Sequence, residues 1–166
     1  MKNHLYRSLI FFFFAVGLSN CVSVNLPSSS GSPAKDVKFD APASPFEDMK
    51  VKTADKAWIS KNTGNTISFL SDCNSSSDPT LQQLQSESLA VLDNLKVLDS
   101  KDSDFNGRES NSTFAQGEVD GVPVKTEILV FKKNGCNFTL SYGGVLSRFE
   151  AEKKFFDKFK ESFKAQ

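Results

Sequence analysis

The sequence predicts an α+β domain in which helices pack on an antiparallel sheet of about five to six strands. Three observations carry this. Segments 112–119, 122–132 and 136–142 are separated by Asp120-Gly121 and Asn134-Gly135, the dipeptides of tight hairpins, and the last two alternate apolar and polar residues. A leucine-bearing stretch near 79–95 repeats with the helical period, and so does a phenylalanine-rich stretch after Ser147. Between residues 21 and 36, by contrast, Ser, Pro and Gly dominate without periodicity, so the domain is expected over 37–166.

At the start, Lys2 and Arg7 precede an apolar run from Leu9 to Leu18. That run is too short for a bilayer, which needs about 20 residues, but it suits an export signal. Leu18-Ser19-Asn20-Cys21 resembles the lipobox of bacterial lipoproteins, with Asn20 where Gly or Ala is usual. The resemblance implies removal of residues 1–20 and acylation of Cys21, which then holds the chain to the membrane. Val22, in place of the Asp that favours inner-membrane retention, points to the outer membrane, facing the periplasm. Three acyl chains exceed the two signals that stable anchoring requires. Loss of Lys2 and Arg7 leaves 18 basic residues against 20 acidic, which is no nucleic-acid footprint.

Cys73 and Cys136 remain as an even pair in an oxidising compartment. A disulfide between them would add roughly 3–4 kcal/mol through loop closure; two separate buried thiols are the alternative. In residues 36–56, Val37, Phe39, Phe46 and Met49 are available to pack on the domain, whereas Pro42 and Pro45 argue against a long element. A hairpin is expected from Ala57–Lys61 and Thr66–Ser71 about the loop Asn62–Asn65. Asp78-Pro79 offers a helix cap followed by Pro at the first helical position. Leu81, Leu84, Leu92 and Leu95 then share one stripe, predicting a helix over 79–95 with a strand near 96–102. In the following meander, Val124, Thr126, Ile128 and Val130 share one face, and Phe138, Leu140 and Tyr142 repeat the pattern. Ser147 and Glu150 have the spacing of a capping box. Beyond them Phe149, Phe156, Phe159 and Phe163 form a stripe, with Phe155 at its edge and Glu150, Lys154, Asp157, Lys158, Glu161 and Lys164 opposite. Such a helix has to bury its aromatic side against a sheet.

Over about 57–165 this order of elements resembles the PsbP-like fold, shared by an extrinsic photosystem subunit, a Ran-binding family and DcrB-like bacterial lipoproteins. The residues that carry the resemblance are Asn106-Gly107, Glu118-Val119-Asp120-Gly121-Val122, Asn134–Tyr142 and the closing Phe155, Phe159, Ser162, Phe163 and Lys164. It implies helices on both faces of the sheet and a role in binding proteins, as scaffold or chaperone. Cys136 departs from the pattern.

No enzyme is expected. The only histidine, His4, leaves with the signal, which removes Ser-His-Asp and Cys-His arrangements. Phosphate loops, nucleophile elbows and a cofactor motif are absent, so no cofactor is called for. Asp102-Ser103-Asp104-Phe105-Asn106-Gly107 matches the opening of a calcium loop, but Thr113 stands where a bidentate acid belongs. A polar turn is the preferred reading; weak calcium binding through Asp102, Asp104 and Asn106 is the alternative. Three N-x-Ser/Thr runs, at Asn74, Asn111 and Asn137, are read as chance, and Trp58 as core. The functional expectation is an envelope lipoprotein binding a protein partner. The second reading is a carrier holding a small apolar molecule or lipid between sheet and helix.

Overall fold

A computed structural model of the chain describes residues 32–73 and 77–166; the signal, Cys21 and Asn74 lie outside them. Seven antiparallel strands form the main sheet: β2 (Phe46–Asp48), β3 (Lys56–Ser60), β4 (Thr66–Cys73), β5 (Asp93–Phe105), β6 (Arg108–Val119), β7 (Val122–Lys133) and β8 (Cys136–Val145). Their spatial order is β2-β3-β4-β8-β7-β6-β5. A two-stranded ribbon joins β1 (Val37–Lys38) to β9 (Lys164–Ala165), so the two ends of the described domain meet. Helix α1 (Leu81–Leu89) covers one sheet face. A 3-10 helix (Leu146–Ala151) and α2 (Lys153–Ser162) cover the other.

The hairpin dipeptides set the meander. Asn106-Gly107, Asp120-Gly121 and Asn134-Gly135 each place two consecutive residues at positive φ, the requirement of the two-residue turn whose twist matches the strands. Strand β7 passes through the centre of the domain and is buried on both faces. Ile128 and Val130 face α1, while Leu129 and Phe131 face α2. The sheet has one strand more than the sequence suggests, because Phe46 of the short β2 is drawn into the aromatic core and β2 pairs with β3.

That core is a continuous set of rings. Phe163 meets Phe39, Phe69, Phe131, Phe138 and Phe159. Phe159 packs on Trp58, and Phe156 stacks on Tyr142. The aromatic stripe of the last helix therefore lies against the sheet as its period requires, and Trp58 is core, only 5% exposed. Phe39 wedges beside Trp58 and Phe69, tying the N-terminal segment to the same cluster. Contacts with the domain begin before Val37: Ser32 pairs with Cys73, and Ala34 donates its amide to Ser71 Oγ.

Two helix boundaries differ from the sequence reading. Helix α1 starts after Thr80, whose hydroxyl and the Gln83 side chain cap each other's backbone, while Asp78 pairs with Lys132 instead. It ends at Leu89 rather than Leu95. Leu92 still packs beside α1, but the helix is capped at Ala90 and β5 begins at Asp93, with Asn94 inside it at positive φ. Helical spacing thus continued past the break by coincidence. The capping box of Ser147 and Glu150 does not form: the first turn is a 3-10 helix with no side-chain cap, and Glu150 pairs with Lys125. Buried Phe149 and the bond from Tyr142 Oη to the Phe149 carbonyl, 2.6 Å, fix that turn.

Glu127 is buried under α2, 1% exposed, and bridges Lys153 and Lys160, which Asp157 joins from outside. Burial raises Asp157, but its bonds to Lys153 and Lys160 outweigh this and hold it below its ordinary 3.8. Burial likewise lowers Lys153, yet Asp157 and Glu127 lift it above its ordinary 10.5.

Phe163→Ala should cost about 3–5 kcal/mol by urea unfolding, whereas the exposed Glu161→Ala stays within about 0.5 kcal/mol of the parent. The depressed Asp157 contributes stability that is fully present above its unfolded value and is lost as pH falls through its lower folded one. Lys153 contributes below its unfolded value and loses that contribution as pH climbs through its raised one. Asp157→Asn should therefore destabilise the domain more at pH 7 than at pH 2.5, as read from denaturation midpoints at the two pH values.

Candidate functional site

Sequence-predicted site residues separate into three groups. Cys21 lies outside the described residues. Cys73 and Cys136 are opposite one another on β4 and β8 and are joined as a disulfide. Asp102, Asp104 and Asn106 sit on the β5–β6 hairpin but do not converge. Asp102 accepts a bond from Asn111, Asp104 accepts the Gly107 amide, and Asn106 reaches across to the backbone of Phe163 and Ala165. The motif therefore acts as a turn that fastens β9. Among the described residues, no group of three or more His, Cys, Asp or Glu side chains is placed to hold a metal ion.

Buried polar groups are engaged in holding the 3-10 turn and the start of α2. Glu152 accepts from Ser60 and Thr63, fixing the helix start to the β3–β4 loop. Asn65 donates to Tyr142 Oη at 2.8 Å and to the Arg148 carbonyl at 3.0 Å. A Cβ on Gly144 would lie 1.9 Å from Asn65 Oδ1, so only glycine admits this approach. Burial pushes Tyr142 up to about 12, so it remains a neutral hydroxyl, donor to one partner and acceptor from the other. Asp55 binds the Ser71 amide and hydroxyl; its burial raises it despite those bonds. These groups brace the fold. Glu127 was missed in the sequence, although its place two residues before Leu129 and four before Phe131 puts it on the inward face of β7.

The surface feature that stands out is apolar, and strand register reveals it. Directly paired residues lie on one face of a sheet. On the α1 side, Ile59, Thr66, Gly143, Thr126, Ala115 and Val97 are successive cross-strand partners. Beside them run Val145, Val124 and Gly117, and Val119 faces Val122. Helix α1 covers Ala115 and the 128–130 end of β7 but not the remainder. Ile59, Leu95, Val97, Val122 and Val145 are thus left 37–47% exposed. A Cβ on Gly117 would lie 2.6 Å from the Asp93 carbonyl, so this glycine lets the bulged start of β5 lie close and brings Leu95 to the strip. Leu98 and Leu146, also exposed, flank it. No local motif encodes this surface, since its residues come from six strands.

Between the sheet and α2, by contrast, the space is filled by the rings of Phe69, Phe131, Phe138, Phe159 and Phe163.

No protein-family model matches the chain, and no curated protein matches it by sequence. Solved structures do match in fold. LpqN of Mycobacterium tuberculosis, involved in cell envelope biogenesis, is 14% identical with a TM-score of 0.58, over 81% of this chain and 84% of LpqN. PA94 of Pseudomonas aeruginosa, a protein of unknown function, is 11% identical with a TM-score of 0.52, over 86% of this chain and 90% of that one. The cyanobacterial PsbP (CyanoP) of Synechocystis sp. PCC 6803 is 14% identical with a TM-score of 0.53, over 84% and 96%. The domain has the PsbP-like fold.

Proposed function

We propose that this is a non-catalytic protein of the bacterial cell envelope, held to the outer membrane through an acylated Cys21, whose sheet face docks a protein partner. The observation that carries this is the apolar strip beside α1. Neighbouring exposed Ile, Leu and Val side chains on a rigid sheet are costly to leave in water and mark a contact surface. The partner would present a complementary apolar ridge. The lipobox and the likeness in fold to LpqN, a protein involved in envelope biogenesis, support the setting. The carrier reading draws less support, because aromatic rings occupy the space between sheet and α2 where a lipid would lie.

A photo-crosslinking residue placed at Val122 or Val145 in living cells should give one discrete protein adduct, and one at the exposed Ser86 of α1 should not. Leu95→Asp should reduce the adduct about tenfold while leaving the thermal midpoint within about 2 °C of the parent, as expected for an exposed position. Equal adducts at all three positions, or a lipid recovered by organic extraction in place of a protein, would sink the docking reading.

A further inference from the structure

We propose that a cationic cavity at the end of the domain where the chain from Cys21 joins it binds the phosphate of an anionic lipid headgroup. The cavity measures about 460 Å³ and is lined by Arg108, Lys132, Lys133, Asp78, Cys136 and Asn137, among others. Among the described lining residues Asp78 is the one acid, and Lys132 pairs with it. Lys133 donates to the Asn106 and Ala165 carbonyls and has no acidic partner among the described residues. Arg108 is exposed and has no ion-pair partner among the described residues. The lining therefore carries two net positive charges, on Arg108 and Lys133, a set that suits a phosphodiester, while Asn137 lies opposite the paired Lys132.

Position supplies the second half of the argument, and it rests on the anchored reading above. Ser32 pairs with Cys73, Cys73 is bridged to Cys136, and Cys136 lines the cavity. Ten residues lie between Cys21 and Ser32, which are thus at most ~40 Å apart fully extended. The cavity is thus fixed at the root of the tether, where the membrane surface stands at high effective concentration and weak sites suffice. The apolar strip lies at the opposite ends of the same strands: from Thr66 to Cys73 along β4 is about 23 Å at ~3.3 Å per residue. A headgroup held at the root would direct that strip away from the bilayer.

The test uses the full chain carrying Cys21→Ser, with amide shifts read while dihexanoyl-phosphatidylglycerol is added below its micelle threshold. Shifts should concentrate at 106–108 and 132–137, and dihexanoyl-phosphatidylcholine should bind several-fold more weakly. Arg108→Gln should weaken the phosphatidylglycerol titration about fivefold, the worth of one cation at an anionic surface. The control Lys158→Gln, on the exposed side of α2, should not. Inorganic phosphate binding as tightly as the lipid would assign the cavity to free phosphate and overturn the headgroup source. Shifts spread evenly over the domain, or unchanged by Arg108→Gln, would overturn the site. Mass spectrometry of Cys21 in membrane-derived protein decides the anchor separately: an unmodified thiol beside a saturating titration refutes the anchored reading and leaves the cavity standing.

Discussion

The fold depends on burying one aromatic ridge. Helix α2 is only ten residues long, too short to be stable alone. It exists because Phe156 and Phe159, with Phe149 before them and Phe163 after, have nowhere else to leave water. Full burial of a phenylalanine is worth up to about 3 kcal/mol, and the sheet supplies Trp58, Phe69, Phe131, Phe138 and Tyr142 as the receiving surface. The same cluster reaches both chain ends. Phe39 packs among these rings, and Phe163 leads directly into β9, whose pairing with β1 closes the domain. Anything attached through the N-terminal segment is therefore mechanically coupled to the core.

Polar groups around this ridge orient it. Tyr142, Asn65 and the Phe149 and Arg148 carbonyls hold the 3-10 turn, while Glu152 ties the start of α2 to Ser60 and Thr63. Glu127 would be costly alone beneath a helix, since a buried charge without a partner destabilises strongly. Lys153 and Lys160 reach over the helix to meet it, and Asp157 balances them. The result is a network specific to one rotation of α2, in addition to the apolar packing, which a slipped helix could partly satisfy.

Much of this was legible because the signals were local. Asn-Gly and Asp-Gly demand positive φ wherever they occur in a tight turn, so Asp120-Gly121 and Asn134-Gly135 located the meander. The phenylalanine stripe located α2 through its period. Misreadings arose where two local signals competed. Asp78-Pro79 looked like a cap, but Lys132 captures Asp78 and the Thr80–Gln83 pair takes the capping role. Leu92 and Leu95 continued the leucine spacing, yet the helix is capped at Ala90, and β5, from Asp93, gains a long pairing with β6 instead. Ser147 and Glu150 matched a capping pattern that the burial of Phe149 overrides. The disulfide was legible as a parity argument; that Cys73 and Cys136 face each other across β4 and β8 is a matter of register.

The candidate surface was the least legible feature for a reason that follows from sheet geometry. Each strand contributes one or two apolar residues to the face beside α1, and a single exposed valine is ordinary on any protein. Only when register aligns Val145 with Val124, and Val97 with Ala115, do scattered residues become a strip. The length of α1 decides whether that strip is covered. A helix continuing to residue 95, as the leucine spacing suggested, would have carried Leu92 and Leu95 on across the face and shielded Val97, Val122 and Val145. The cap at Ala90 ends that possibility, β5 begins at Asp93 with Asn94 at positive φ, and Gly117 lets the new strand approach closely. The end of the helix at Leu89 and the exposure of the strip are thus one structural decision.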